Sequence, residues 1–414
     1  MNSRERLLTA IACQEPDHVP LCCWCFGFAP PPQLRWRRDG REVGHWYTLR
    51  LEHIHTLPEP WTLEDDFQRV RRWLSLGLDD VLEVSVPWSL HPEVRVRDWQ
   101  EPPTSSEPYV LLCREYDTPA GRLRHVVRKT DEKVEPGWVV QPDHVPLIED
   151  FNIPRGVKPA VAGPEDLPKL RYLLQEPTAE QLTAFRERMA LVKRFAAEQG
   201  VLVQGWSAFG MDGVIWLTGV EAAVMAAMTE AGFFQELVDI VYAWDRRRTE
   251  IMLDVGGVDM VVQRGWYSST DFWSPATFRR FVMPHLGDLV QLAHQAGARY
   301  AYTMTTGALA MADPLLESGL DLLYYVDPVA EKGKLPAIAD KFAGRLAVAG
   351  GVSSGVTLAA GLRDEISREV EAAMCTFGPG GGFILAPVDA LFPDTPWSSV
   401  EAMIEAWRAV CGSN

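Results

Sequence analysis

From residue 164 onward, short apolar runs bounded by turn residues alternate with segments of helical periodicity, and this alternation constrains the fold more than any other feature. The runs predict strands over 201–206, 258–263, 299–303, 321–326, 345–350 and 382–387. Helices are predicted before, between and after them over 178–199, 219–229, 233–255, 275–296, 308–318, 334–342, 363–377 and 397–411. Strands parted by helices of about ten residues or more run parallel, because an antiparallel return needs only a short turn. With 414 residues, 47% of them apolar, the chain can bury one large core. The expected fold is α/β, a TIM (β/α)8 barrel forming a single unit over 1–414, with chemistry where strands end and loops begin.

The first 60 residues read as an N-terminal cover and first strand. Leu7, Leu8, Ile11 and Ala12 follow Ser3 at helical spacing, so a helix capped by Ser3 is expected over 3–13, then a buried strand over 19–26. Residues 74–86 give a helix end, a turn at Gly77 and a second strand. Residues 95–150 break the rhythm: Tyr109, Leu111 and Cys113 alternate, and Thr118-Pro119-Ala120-Gly121 is a turn, which predicts a β-hairpin insertion. The net charge of −16 argues against nucleic acid or an anionic membrane surface as the main partner. No basic start leads into an apolar stretch and no apolar run is long enough to span a bilayer, so a cytoplasmic location is expected. Seven cysteines, an odd number, suggest reduced thiols rather than a disulfide framework.

Near the end, Gly378-Pro379-Gly380-Gly381-Gly382 turns tightly into the apolar run Phe383-Ile384-Leu385-Ala386-Pro387, and Asp389 follows where the strand opens. No Lys-Ser or Lys-Thr follows these glycines, so they are not a phosphate loop. This ending with Pro393-Asp394-Thr395-Pro396, and the opening Asn2-Ser3-Arg4-Glu5-Arg6-Leu7 through Pro16-Asp17-His18-Val19-Pro20, resemble the uroporphyrinogen decarboxylase superfamily. Tyr116-Asp117-Thr118-Pro119-Ala120-Gly121, Gly257-Val258-Asp259, Ser274-Pro275 and Gly350-Gly351-Val352 extend the resemblance nearly end to end. It implies the barrel, and either methyl transfer involving a corrinoid protein or decarboxylation of a small ring compound.

The signatures of both branches are absent. Where the resemblance implies an Arg-Gln-Ala-Gly-Arg clamp for many carboxylates, the chain reads Cys25-Phe26-Gly27-Phe28-Ala29. The pyrrole-binding aspartate it implies falls near Val86, and Asp389 stands in place of a histidine. Where zinc methyltransferases carry His-x-Cys-Gly and a later cysteine, the chain has Met304-Thr305-Thr306-Gly307 and Val388-Asp389. A thioether and a hydroxyl do not replace imidazole and thiolate, so zinc is not expected at that place. Cys23 and Cys25 share one side of the predicted first strand and Cys22 the other; Cys25 is a ligand-lining candidate or a packed small hydrophobe. His53 and His55, with His45 nearby, have the look of metal ligands but lack a Cys or carboxylate at fixed spacing, and read rather as surface or capping histidines.

The remaining candidates are acids, one base and rings. Asp212, Asp327 and Asp389 follow predicted strands and serve either as general acids or as caps. Arg264 reads as an anion clamp or as half of a structural ion pair. His91, Trp206, Trp266, Tyr267, Tyr302, Met304 and Tyr324 lie near strand ends and are candidates for the pocket wall, the rings alternatively for core. The first expectation is a methyltransferase acting on a small methylated substrate with a corrinoid partner protein. The alternatives are a metal-free decarboxylase or lyase, with Arg264 holding a carboxylate and Asp389 or Asp327 handling the proton, and a barrel that binds without turnover. A homodimer is compatible with all three.

Overall fold

The computed structural model describes residues 1–48, 57–58, 60–130 and 135–412. Seven strands form one parallel sheet: β1 (Val81–Ser85), β2 (Leu202–Ala208), β3 (Met260–Gln263), β4 (Arg299–Thr303), β5 (Leu322–Val326), β6 (Ala347–Ser353) and β7 (Phe383–Val388). Each pairs with its neighbour in chain order. The gap between β7 and β1 is bridged by residues 20–22. Leu385 N donates to Pro20 O (2.9 Å), Cys22 N to Leu385 O (3.0 Å) and Asp79 N to Leu21 O (2.9 Å).

The strand expected over 19–26 is therefore corrected to isolated bridges. Pro20 has no amide to donate, and the regular strand is Phe26–Phe28, paired antiparallel with Trp46–Tyr47. Side-chain alternation survives: Cys22, Trp24 and Phe26 pack on the barrel interior with Leu202, Val262 and Ile384, whereas Cys23 and Cys25 join the layer beneath the helices.

Several helices differ from expectation for local reasons. The first is capped by Asn2 rather than Ser3, with Glu5 closing a capping box. The helix expected over 275–296 breaks at Val282, just before Pro284, into Pro275–Phe281 and Met283–Gln295. A helix over Gly210–Thr218 escaped prediction because all nine of its residues are buried, leaving no polar face to set a period. The insertion is larger than a hairpin: Arg95–Glu101, Leu111–Thr118, Gly121–Arg128 and Gly156–Lys158 form a four-stranded antiparallel sheet. Among the described residues no single helix is long and apolar enough to cross a membrane.

The ends of β1 and β2 are fixed by a buried pair on helix Ala231–Val255. Arg248 donates to Ser207 O (2.6 Å) and Val86 O (2.8 Å), its guanidinium lying over the rings of Phe209 and Trp244. Asp245, one turn away, accepts from Phe209 N (3.0 Å) and Gly210 N (2.7 Å). Gly210 takes φ +54, and a Cβ there would lie 2.5 Å from Gln263 Nε2, so the turn requires glycine. Replacing Arg248 with leucine leaves Asp245 buried without a counter-charge and two carbonyls without donors. Urea denaturation of Arg248→Leu is expected to show a loss of roughly 3–5 kcal/mol; a loss under about 1 kcal/mol would refute the clasp.

Candidate active site

The C-terminal ends of the strands open onto a cavity of about 420 Å³, within the usual range for a small-molecule site. Trp24, Phe26, Trp138, Phe151, Phe272 and Phe392 form its apolar wall, together with Trp266 and Tyr267. Trp138 stacks on Phe392 at the rim (5.8 Å, 17°). Asp150, Asp212, Arg264, Asp271, Thr305 and Asp389 supply its polar groups.

Arg264 follows β3, and its guanidinium is held between the rings of Trp216 (4.9 Å) and Trp266 (4.7 Å). Cation–π contact fixes the plane of the group without occupying its N–H donors. Its Nε lies 3.6 Å from Asp212 Oδ2, too far for a hydrogen bond, and both atoms are buried and unpartnered. Among the described residues, no oxygen accepts a hydrogen bond from this guanidinium.

Asp212 sits in the first turn of helix Gly210–Thr218 and is fully buried; its Oδ1 accepts from Tyr267 N (2.9 Å). Burial pushes its carboxyl up to about 7, against the opposing pull of Arg264 and the Tyr267 amide. Asp389 follows β7 at φ +69, left-handed for a non-glycine residue, and lines the cavity. Burial raises it to about 6, with Arg264 again opposing. Asp150 Oδ1 accepts from the Tyr267 hydroxyl (2.7 Å) and Trp216 Nε1 (3.0 Å), tying the arginine's aromatic clamp to the cavity edge.

Below the cavity floor, Glu83 on β1 accepts from Trp24 Nε1 (3.2 Å) and from Gln204 Nε2, and Tyr324 donates to Gln204 Oε1 (3.2 Å). Burial pushes Glu83 up to about 7.

The structure thus brings together Asp212, Asp389, Arg264, Trp266 and Tyr267, with Trp206 stacked behind Trp266 (6.1 Å, 12°). Six other candidates lie away from the cavity. Asp327 does not line the cavity; its Oδ1 caps the Val329 amide (2.8 Å). Cys25 points into the outer layer, where burial pushes its thiol up to about 12. His91 packs edge-on against Tyr172 and accepts from Glu93 N. Tyr302 is buried, bonded to Ser268, and Met304 is buried in the core. Tyr324 lies one layer below the cavity, in the Gln204 network. His53 and His55 lie outside the described residues. Asp150, Phe151 and Trp138 were missed because they occupy an irregular segment between the third and fourth strands of the insertion, where no periodicity marks them.

The zinc site implied by the resemblance does not fit this donor set. Met304 is sealed in the core, Thr305 offers a hydroxyl and Asp389 a carboxyl. Among the described residues no three His, Cys, Asp or Glu side chains converge as a ligand group.

A carboxyl raised by burial favours the folded state at low pH, and that contribution is lost as pH rises from the ordinary aspartate range through the folded value near 7. Asp212→Asn removes this loss. The variant is expected to match the parent near pH 4 and to be more stable by roughly 1–3 kcal/mol near pH 8. Equal stability at both pH values, by thermal or urea unfolding, would contradict a desolvated Asp212.

The sequence model of the uroporphyrinogen decarboxylase family matches residues 148–410, more than half of the chain. Two methylcobamide:CoM methyltransferases MtaA, from Methanosarcina barkeri and from its strain Fusaro / DSM 804, are each 26% identical over 202 residues, 48% of this chain and 56% of theirs. The chain therefore spans about half the length of the curated relatives it matches. A solved methyltransferase from Methanosarcina mazei superposes with a TM-score of 0.57 over 99% of both chains at 16% identity, a likeness of fold. On the match of residues 148–410, which contains Asp150, Asp212, Arg264 and Asp389, the chain belongs to the uroporphyrinogen decarboxylase family.

Proposed function

We propose that this chain is a methyltransferase that removes a methyl group from a small, flat, carboxylated substrate, using a protonated aspartate to release the leaving group. The observation that carries this reading is the Arg264 guanidinium, stacked between two tryptophans with its donors uncommitted and facing a cavity that holds two raised aspartates. A planar guanidinium of this kind pairs with a carboxylate through two parallel hydrogen bonds. The aromatic walls suit a flat ring next to it.

Binding and chemistry are coupled through charge. A substrate carboxylate on Arg264 cancels the cation that pulls Asp212 and Asp389 down, so both carboxyls rise further and hold their protons. Asp389, at the cavity surface, is placed to donate that proton to the oxygen or nitrogen that loses its methyl group. The methyl acceptor is a corrinoid on a partner protein, the class of group that the name of the MtaA relatives gives as a methyl donor; in its reduced form it would supply a nucleophilic metal centre. The balance would be one methyl cation passed to that reduced acceptor and one proton passed from Asp389 to the leaving heteroatom, then restored from solvent.

The same uncommitted arginine beside a protonated acid also favours a second reading, decarboxylation. There the C–C bond to the held carboxylate breaks, carbon dioxide leaves, and Asp389 protonates the carbanion.

The test is an assay of methoxylated and N-methylated aromatic acids with free reduced cobalamin, followed by the change to the methylcobalamin spectrum, with released carbon dioxide measured alongside. Methyl transfer is expected, with no carbon dioxide. Carbon dioxide released without any cobalamin requirement would move the assignment to the lyase. Asp389→Asn is expected to lower kcat by about 100-fold or more with KM little changed. Arg264→Lys is expected to raise KM by about tenfold or more, since an ammonium cannot reproduce the planar fork.

A further inference from the structure

A second cavity, of about 570 Å³, lies between the antiparallel sheet, segment 152–159 and the start of helix Val220–Thr229. Its polar lining includes His125, Asn152, Thr218 and Glu221, and Trp216 separates it from the Arg264 site. Three observations converge there.

The first is the helix start. Gly219, at φ +82, precedes the helix, no side chain caps it, and the first intrahelical bond to Gly219 O comes from Ala223 N (3.1 Å). The amides of Val220, Glu221 and Ala222 therefore have no intrahelical acceptor, and all three residues line the cavity.

The second is a pair of side chains almost sealed from water, each 2% exposed. His125 Nδ1 has no hydrogen-bond partner, and neither does Asn152 Oδ1. Asn152 Nδ2 donates to Pro146 O (2.8 Å), which fixes the amide and leaves its oxygen as an acceptor. Each buried orphan costs roughly 1–3 kcal/mol unless something pairs with it.

The third is charge. Burial, then the nearby Arg114 and Arg155, hold His125 neutral, down to about 3. The field of those two arginines favours an anion near the ring, whereas the exposed Glu221 carboxylate is the one opposing charge in the lining.

We propose that this cavity is a second ligand site for a small hydroxycarboxylate. Its carboxylate accepts from the amides at the helix start, its hydroxyl donates to Asn152 Oδ1, and His125 Nδ1–H donates to one of its oxygens. Both faces of the ligand are required: an anion alone leaves Asn152 unpaired, and a neutral alcohol leaves the helix start unpaired.

The test uses full-length protein with carbon-13-labelled histidine, titrated in parallel with lactate, acetate and 2-propanol. The His125 imidazole signal is identified by its disappearance in His125→Gln. Lactate is expected to shift that signal saturably and to bind at least about tenfold more tightly than acetate or 2-propanol. Asn152→Ala is expected to abolish the preference of lactate over acetate. Glu221→Gln, at an exposed position that leaves the fold intact, is expected to tighten lactate about two- to fivefold by removing a negative charge from the helix start. No shift of His125 with lactate, equal binding of lactate and acetate, or weaker binding in Glu221→Gln would each overturn the assignment.

Discussion

The candidate active site depends on one arrangement: a cation held by aromatic faces rather than by oxygens. Trp216 and Trp266 fix the plane of Arg264 and leave its hydrogen-bond donors available, while Asp212 stands 3.6 Å from its Nε without bonding to it. Had Asp212 closed a two-point ion pair, its carboxyl would be held low and the arginine satisfied. Instead burial outweighs the attraction, Asp212 rises to about 7 and Asp389 to about 6. The cavity therefore offers an anion site beside two carboxyls raised by burial, which an exposed cluster of the same residues could not do, because water would solvate both carboxylates and hold them low.

The scaffold makes this arrangement precise by fixing strand ends rather than loops. Arg248 and Asp245, both buried, join the ends of β1 and β2 to helix Ala231–Val255 and hold the Phe209–Gly210 turn. That turn begins the helix on which Asp212 and Trp216 sit, so one buried pair sets both the acid and one face of the arginine clamp. Asp150 then links Trp216 to Tyr267, whose amide holds Asp212. Underneath, Glu83 and Gln204 support Trp24 on the cavity floor. Asp150, Asp212 and Glu83 are each held by a neighbour, Tyr267 or Trp24, that also lines the wall.

Much of the fold was legible in the sequence, because parallel strands buried on both faces read as apolar runs and amphipathic helices carry a period. The element over 363–377 and the last helix, 397–411, match expectation, and the residues at strand ends pointed to Arg264, Asp212 and Asp389. What failed had no such pattern. Helix Gly210–Thr218 is buried all round, and the first strand dissolves into bridges after Pro20, which lacks an amide. Position at a strand end also cannot distinguish a cap from a cavity-lining acid: Asp327 and Asp389 follow strands in the same way, yet one turns to the Val329 amide and the other to the cavity. Cys25 alternates onto the outer face, a one-residue phase that no spacing rule fixes at an irregular strand.

The most direct measurement is the protonation of Asp389 in the resting protein, read by infrared difference spectroscopy of the parent against Asp389→Asn near pH 5. At that pH an ordinary aspartate is more than about nine-tenths ionised, whereas a carboxyl raised to about 6 keeps its proton. The account predicts a carboxylic-acid C=O band present in the parent and missing in the variant. A carboxylate signature for Asp389 at that pH would contradict it.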